Sequence, residues 1–375
     1  MRDNDPPMRL QRQRESQAGK HFQKLTYWAG GLLWALSACW FLFPPAQSTV
    51  EYCFSRGWYR RVLDWTLPWT QWTRFPLILA LVAAAVAVFT IQWIRKWIHL
   101  RHGLRRSRWA GFLWGVRCIF LALPVTLLWF ILFWGAGYRR IPVEQRLDFN
   151  TAAISPQEES RLREFLLENV KRNATLPQER DAGRAVRSIA TAMKGVVEAW
   201  DGLPIRLPRQ VKSAPRGLLL SSGTSGMCAP FTLEALVDSG LPDTAFVYAA
   251  AHELGHVAGF CPEDEASFAG YVSGLQAEDQ FARYACALSA YVDMIHSLKS
   301  KDLDQAIEAL PQLARQDLRA AEEAYGQYQI KWFSSASWRA YDKYLRAQGI
   351  REGIRSYSRG VELLGYAWRQ GIVKQ

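Results

Sequence analysis

Positive charge is not in excess in the C-terminal part of the sequence. Residues 141–375 hold 27 Lys and Arg against 29 Asp and Glu, whereas residues 1–140 hold 19 against 5. The formal net charge of +12 therefore arises in the N-terminal region. A nucleic-acid-binding domain needs a cluster of positive charge, so this distribution argues against nucleic acid as a partner. The sequence also lacks internal repeats and low-complexity tracts.

Ionisable side chains are nearly absent from three apolar runs of the N-terminal region. The runs cover about residues 25–43, 77–94 and 117–138, and Arg117 is the one charged residue within them. An apolar helix of about 20 residues crosses a bilayer, and Trp and Tyr at the ends of the runs are typical of membrane interfaces. The runs therefore predict three transmembrane helices. Anchoring is the favoured role, because a transport path would need ionisable residues inside the spans.

Lys and Arg are unevenly distributed around these runs. Residues 1–24 carry six, the short segment 95–108 carries six, and the longer segment 44–76 carries four. The positive-inside rule then places residues 1–24 and 95–108 in the cytoplasm. Residues 25–140 form the predicted three-helix membrane region, and residues 141–375 form the predicted domain on its extracytoplasmic side.

The remaining sequence has the pattern of a helical domain with a small β element. Ser155-Pro156-Gln157-Glu158 is a helix start, with Ser as the cap and Pro at the first helical position. Residues 205–238 instead favour short strands and loops, with Leu218–Leu220 and Thr232–Val237 as strand candidates. Further helical patterns cover about residues 179–200, 243–259, 262–275, 278–299, 302–325 and 335–369.

Two of only six histidines stand four residues apart, in Ala251-His252-Glu253-Leu254-Gly255-His256. On a helix this spacing puts both imidazoles on one face, where they can bind the same Zn²⁺. Glu253 lies at the edge of that face and can take a proton from a zinc-activated water. The motif predicts a zinc centre with Glu253 as the general base. The competing interpretation is a helix with two hydrogen-bonded histidines and an exposed acid.

A catalytic zinc needs a third protein ligand and an open position for water. Gly259 can end the helix in a left-handed conformation, and Pro262 can start a second helix with Glu263 in its first turn. Glu263-x-x-Ala266 resembles the segment that supplies this ligand in gluzincin-type metallopeptidases. The resemblance implies Glu263 as the third ligand, with Glu265 as the alternative. Acids that only stabilise a helix start are the other interpretation.

Further segments carry a wider resemblance. They are Pro230-Phe231-Thr232-x-Glu234-Ala235, the stretch from His252 to Phe268, Phe281-x-Arg283-Tyr284, Tyr341-x-x-Tyr344-Leu345, Gly353 and Ser356-Tyr357. Together with the apolar runs, they resemble an uncharacterised bacterial family of membrane proteins, a domain of unknown function with zinc-peptidase motifs. The resemblance spans most of the chain and implies the inner membrane of a bacterium as the location. It supports the architecture more than an activity.

A hydrolase also needs a donor that stabilises the oxyanion of its tetrahedral intermediate, and related peptidases use Tyr or His. Tyr357 is the preferred candidate, with Tyr271 and His296 as alternatives, although each also fits a packed helix residue. Ser267 stands where many gluzincins have an acid, so the sequence does not identify the group that orients a zinc-binding histidine. The segment 217–237, which includes Glu234, is a candidate strand edge for an extended peptide.

Two cysteine patterns leave alternatives. Cys228 and Cys261 flank the zinc motif, and a disulfide between them is predicted because an exported domain can be oxidised. Small buried thiols are an equal alternative. Leu36-Ser37-Ala38-Cys39 has the form of a lipoprotein cleavage site, but the apolar run continues to Phe43, which favours a membrane span.

The predicted fold class is mostly α, with three N-terminal transmembrane helices followed by a helical zincin-like domain with a small β element. The predicted function is a membrane-anchored zinc-dependent hydrolase of the metallopeptidase type, acting on a peptide or protein. A non-catalytic metal-binding scaffold or sensor of the envelope is the alternative. Glu253 argues against that alternative, because a structural site needs no base between its ligands. A non-peptide amide or ester of the envelope is a third candidate, as a different substrate for the hydrolase.

Overall fold

The computed structural model describes residues 26–101, 108–350 and 359–373. These residues are mostly helical and contain one small sheet, as predicted. The strands are β1 (Lys212–Ala214), β2 (Gly226–Ala229) and β3 (Glu234–Asp238), and a π-helical segment, Val50–Trp58, leads into α2. The helices are α1 (Thr26–Leu42), α2 (Tyr59–Trp72), α3 (Leu77–Arg101), α4 (Arg108–Phe133), α5 (Pro156–Asn173), α6 (Ala182–Asp201), α7 (Asp243–Val257), α8 (Glu263–Leu275), α9 (Gln280–Ile295), α10 (Ser300–Ala309), α11 (Gln312–Tyr328), α12 (Lys331–Ala347) and α13 (Arg359–Arg369).

Two of the helices contain stretches long and apolar enough to cross a membrane, Leu77–Arg95 in α3 and Gly115–Phe133 in α4. Within the described residues, α1 meets the same criterion only when it is counted with Gln47–Trp72 as one interrupted span. Membrane-spanning helices are therefore supported at two of the three predicted positions. The first, 25–43, is supported only in that combined form.

The chain divides into two compact units. The first consists of the described residues in 1–46 and 82–132, where the Trp34 indole of α1 donates a hydrogen bond to the Phe120 carbonyl of α4 at 3.0 Å. The second consists of residues 47–81 and the described residues in 133–375. The segment between the first two predicted spans is therefore helical in large part and packs within the second unit.

The sheet of the second unit lies against α7. Its strand order is β1-β3-β2, with β1 parallel and β2 antiparallel to β3. The central strand β3 is buried along its whole length, and α7 packs on β2 and β3. On its other side α7 packs against α8, which also contacts α6, α9 and α13. The predicted metal motif is thus carried by a helix between the sheet and a helical layer.

The structure confirms some local predictions and contradicts others. Ser155 caps α5 and forms a capping box with Glu158, as the sequence indicates. Leu218–Leu220 does not form a strand, because this segment turns and enters a 3₁₀ helix that starts at Leu220. The pattern at 302–325 is interrupted between α10 and α11 by Pro311, which has no backbone N–H to continue a helix.

Helix α2 packs one face into the second unit. Tyr59, Leu63 and Thr66 lie on this buried face. The Tyr59 hydroxyl donates a hydrogen bond of 2.9 Å to the carbonyl of Val257, the last residue of α7. The end of the metal-motif helix is thereby attached to the segment that precedes α3.

Glu234 attaches the sheet to the start of α3. Its carboxylate accepts hydrogen bonds of 2.9 Å from the backbone N–H groups of Leu77 and Ile78, and it pairs with Lys212 Nζ at 2.7 Å. A carboxylate at this point satisfies N–H groups that have no partner within the helix and complements the helix dipole. Glu234 therefore anchors an apolar helix to the domain, whereas the sequence suggested a place at a peptide-binding edge.

A buried ionic cluster connects three separate parts of the second unit. The Arg140 guanidinium pairs with Glu51 of the π-helical segment at 2.8 Å and with Asp201 at the end of α6 at 2.9 Å. Arg146 and Arg60 also pair with Asp201, at 3.0 and 2.7 Å. Because Glu51 and Asp201 are buried, removal of one cation would leave a carboxylate partly uncompensated.

We expect Arg140→Met to destabilise the second unit strongly. Breaking a buried ion pair by removing one partner costs about 3–5 kcal/mol. Guanidinium unfolding of the full chain in detergent, followed by tryptophan fluorescence, measures this loss. Arg184→Met is the matched control, because Arg184 pairs with Asp279 at 2.8 Å but is largely exposed. Equal effects of the two variants would contradict the importance of the cluster.

Candidate metal centre

The turn between α7 and α8 brings the predicted ligands together. Helix α7 ends at Val257, and Gly259 has the left-handed φ of +96° that the sequence predicts there. A side chain would be strained at this φ, so glycine permits the reversal. Pro262 then caps α8, whose first residue is Glu263. The chain thus folds back and carries Glu263 to the face of α7 that holds His252 and His256.

The three predicted ligands meet at one carboxylate oxygen of Glu263. Glu263 Oε2 lies 3.0 Å from His252 Nε2 and 3.2 Å from His256 Nε2. Among the described residues these side chains form a group whose ligand atoms all lie within 4.8 Å of one another. Ligand atoms about 2.0–2.2 Å from one tetrahedral zinc are roughly 3.3–3.5 Å apart, so the set fits zinc after a small outward shift. Three protein ligands would leave one position open for water or substrate.

Glu265, the alternative third ligand, faces away from this group. Its carboxylate accepts a hydrogen bond of 3.0 Å from the backbone N–H of Val143 and lies 3.5 Å from Arg146. It therefore extends the ionic cluster around Arg140. Burial raises the pKa of Glu265 to about 7, and Arg146 counteracts part of this rise.

His256 is oriented by the backbone. Its Nδ1 lies 2.8 Å from the Phe260 carbonyl oxygen, so Nδ1–H donates and Nε2 is the nitrogen that faces Glu263 Oε2. Burial lowers the pKa of His256, but the adjacent carboxylate of Glu263 outweighs this and raises it to about 9. In return, the two histidines hold the pKa of Glu263 well below its ordinary value despite its burial.

His252 is oriented by a serine. Its Nδ1 lies 3.1 Å from Ser267 Oγ. The Ser267 hydroxyl also interacts with the phenol of Tyr248, where it offsets part of the increase in the Tyr248 pKa that burial and Asp293 cause. Ser267 therefore connects the metal-facing histidine to a second polar group behind it.

Two phenols continue this connection to a carboxylate on α9. The Tyr248 hydroxyl donates to the Tyr271 hydroxyl at 2.9 Å, and Tyr271 donates in turn to Asp293. Starting from His252 Nδ1, each group can donate a hydrogen bond to the next one, and the Asp293 carboxylate accepts the last of these bonds. We call Ser267, Tyr248, Tyr271 and Asp293 the hydroxyl chain. It connects His252 to the distant carboxylate of Asp293.

Glu253 lies beside the group with one oxygen unused. It is 4% exposed, and among the described residues its Oε2 has no hydrogen-bond partner. Burial raises the pKa of Glu253 to about 7, the two histidines counteract this, and the backbone N–H of Cys228 contributes a hydrogen bond. A buried polar atom without a partner is costly, so Oε2 is suited to a water or substrate proton.

Gly226 makes room for the Glu253 side chain. A Cβ at position 226 would lie 2.7 Å from Cγ and Oε1 of Glu253 and 2.8 Å from the Leu236 carbonyl oxygen. Both distances are far below van der Waals contact, and the Leu236 oxygen is backbone. Strand β2 can therefore approach Glu253 only because it carries glycine at position 226.

Tyr341 of α12 reaches the group from a distant part of the sequence. Its hydroxyl donates to Glu263 Oε1, and its ring stacks on Tyr344, which contacts Tyr138 edge to face. Tyr341 is thus a phenol donor at the ligand group, a place that sequence reasoning left to other residues. The one sequence signal for Tyr341 is its presence in a segment of the family resemblance.

The other candidates lie elsewhere. Tyr357 falls outside the described residues. Tyr271 is engaged in the hydroxyl chain, and His296 is exposed at the end of α9.

Cys228 and Cys261 are free thiols, so the predicted disulfide is not formed, and Cys261 Sγ contacts the Trp134 carbonyl at 3.6 Å.

Comparison with known proteins gives one family. Residues 54–365 match a family described as "Protein of unknown function (DUF3810)". No curated protein and no solved structure matches the chain.

We expect Tyr271→Phe to weaken zinc binding while leaving the fold intact. The substitution separates Asp293 from the hydroxyl chain, and loss of such outer contacts costs about 10–100-fold in metal affinity. Competition with a chelator measures the zinc dissociation constant, and thermal unfolding checks stability.

Tyr284→Phe is the matched control for this variant. It removes the 2.6 Å hydrogen bond that Tyr284 of α9 donates to Asp317, and neither residue belongs to the hydroxyl chain. Equal zinc affinities of the two variants would show that the chain does not orient His252.

Proposed function

This chain belongs to the DUF3810 family of proteins of unknown function, and we propose that it is a membrane-anchored, zinc-dependent hydrolase of the metallopeptidase type. The observation that carries the proposal is the convergence of His252, His256 and Glu263 beside a buried Glu253 with a free oxygen. Two imidazoles and one carboxylate are the ligand set of several zinc peptidases. A zincin-like arrangement of α7 and α8 is part of this proposal.

The proposed reaction is general-base hydrolysis of an amide. The chemistry that zinc supplies when bound is Lewis-acid polarisation and a lower pKa for water. Glu253 accepts the proton of the attacking water and returns it to the leaving amine. Burial raises the pKa of Glu253 to about 7, and a bound dication would lower it, so the carboxylate would be ionised and able to accept a proton near neutral pH. Tyr341 is the proposed phenol donor to the oxyanion, in place of Tyr357, and its one O–H would turn from Glu263 Oε1 to the oxyanion in this step.

An extended peptide is the proposed substrate form. Strand β2 stands at the edge of the sheet, and its residues Gly226 and Cys228 lie next to Glu253. Backbone hydrogen bonds to such an edge can hold a peptide in an extended conformation. A scissile bond that runs along β2 would therefore pass close to the ligand group.

An extracytoplasmic position of the domain is also proposed. The N-terminal end of α3 is capped by Glu234 of the domain, and α4 ends at Phe133, directly before buried Trp134. Both ends thus lie on the domain side of their spans. The segment 95–108 joins the opposite ends and holds six Lys and Arg, which the positive-inside rule assigns to the cytoplasm.

We expect Glu253→Gln to retain zinc and to lose peptide cleavage by about 10²–10⁴-fold, the usual contribution of a general base. Glu263→Gln should lose zinc as well. Metal analysis of the purified full chain and cleavage of a fluorogenic peptide library measure both quantities, with exposed Glu278→Gln as the control. Full activity of Glu253→Gln would refute the mechanism, and zinc binding without any cleavage by the native chain would favour the scaffold or sensor.

Gly226→Ala tests the position of the proposed base, Glu253, without replacing that residue. The added methyl group would displace the Glu253 carboxylate, and a misplacement of about 1 Å can cost 10²-fold in rate. We expect zinc to be retained, because no ligand is touched. Gly195→Ala of α6 is the control, since a Cβ there meets nothing within 4 Å. Unchanged activity of Gly226→Ala would contradict the proposed position of the base.

A further inference from the structure

Helix α2 exposes a row of indoles on one face. Trp65, Trp69 and Trp72 are 64%, 62% and 84% exposed. Their spacing of four and three residues places them on one side of the helix, while Leu63 and Thr66 are buried on another side. We call Trp65, Trp69 and Trp72 the indole face. Three large apolar side chains in this exposed arrangement mark an interaction surface.

The chain places this face at the level of a membrane surface. The candidate span Leu77–Arg95 begins five residues after Trp72. If a bilayer span begins at Leu77, the residues just before it lie in the interfacial region, where Trp is enriched. The connection is also held firmly, because Lys212 Nζ bonds Thr73 Oγ1 at 2.8 Å and the Phe75 carbonyl at 3.0 Å.

The candidate span Gly115–Phe133 also ends beside the candidate metal centre. Span Gly115–Phe133 is followed directly by Trp134, whose ring meets the His256 ring edge to face at a centroid distance of 5.7 Å. Tyr59, at the start of α2, bonds the last residue of α7. Two independent contacts therefore join the ligand helix to Trp134, which directly follows an apolar span, and to Tyr59 at the start of α2.

We propose that the indole face of α2 lies on the lipid bilayer, and that the metal centre is thereby held at the membrane surface. The substrates are accordingly polypeptides whose scissile bonds lie close to the membrane, such as the segments next to the anchors of membrane-bound proteins. The statement about substrates rests on the proposed hydrolase function, whereas the statement about lipid does not. Arg61, exposed beside the indoles, fits this arrangement, because its guanidinium can reach lipid phosphates.

Spin labelling of the full chain in proteoliposomes tests the contact with lipid. In a background with Cys39, Cys53, Cys118 and Cys228 replaced by Ala, one nitroxide is attached after Trp69→Cys. The matched control is Asp64→Cys, which is exposed on the same helix but lies away from the indole face. Relaxation by oxygen, which concentrates in lipid, is compared with relaxation by a water-soluble nickel chelate.

We expect oxygen to dominate at position 69 and the nickel chelate at position 64. Equal access of the nickel chelate to both positions would overturn the contact with lipid. Protection of position 69 from both reagents would also overturn it, because it would mean that protein covers the indole face.

Cleavage of anchored peptides tests the substrate class. One peptide is attached to a lipid through a short polar spacer, and the same peptide through a flexible spacer of about 40 residues, which reaches roughly 35 Å. Both peptides are anchored to the same vesicles at the same surface density, so a difference in cleavage reports how far from the bilayer the scissile bond is cleaved. We expect kcat/KM to be about tenfold higher with the short spacer.

The outcomes separate this inference from the hydrolase function. Equal cleavage through both spacers, or better cleavage through the long one, would overturn the membrane-proximal substrate while leaving the hydrolase intact. Absence of cleavage in both, with native chain and Glu253→Gln alike, would overturn the hydrolase and the substrate class with it. The spin-label result would then still decide whether α2 lies on lipid.

Discussion

The structure around the metal motif depends on one electrostatic constraint. Two histidines and a carboxylate are packed together and largely buried, and such groups are stable only when their charges and lone pairs are matched. Glu263 meets this requirement by reaching both imidazoles with one oxygen. The turn at Gly259, the carbonyl of Phe260 and the start of α8 at Pro262 all keep that oxygen in position.

The sequence predicts the features that depend on neighbouring residues or on the regular spacing of side chains along one helix. The spacing of His252 and His256, the left-handed Gly259 and the helix start at Pro262 need only neighbouring residues. Leu218–Leu220 and Pro311 show the limit of this reasoning. Three consecutive apolar residues do not by themselves form a strand. A helical spacing of apolar residues also does not reveal that a proline within it lacks the backbone N–H that a helix needs.

The parts that the sequence does not predict depend on distant pairs. Tyr341 meets Glu263 across 78 residues, and Asp293 reaches His252 only through three intervening side chains. The segment 47–72 has the composition of a connecting loop, yet its buried Glu51 and Tyr59 belong to the packing of the domain. Charge counting treats such a segment as a spacer, whereas its role is to join the domain to the apolar helices.

The hydroxyl chain behind His252 also affects the charge of the centre. In the proposed zinc centre, a dication held by two neutral imidazoles and Glu263 would keep one net positive charge, and an acid at position 267 would cancel it. With Ser267 at that position, the nearest carboxylate along the hydroxyl chain is that of Asp293, and only neutral groups lie between it and His252. The histidine would still be oriented, but a bound metal ion would retain more of its electrophilic character toward a carbonyl oxygen. The serine would thus separate the control of geometry from the control of Lewis acidity.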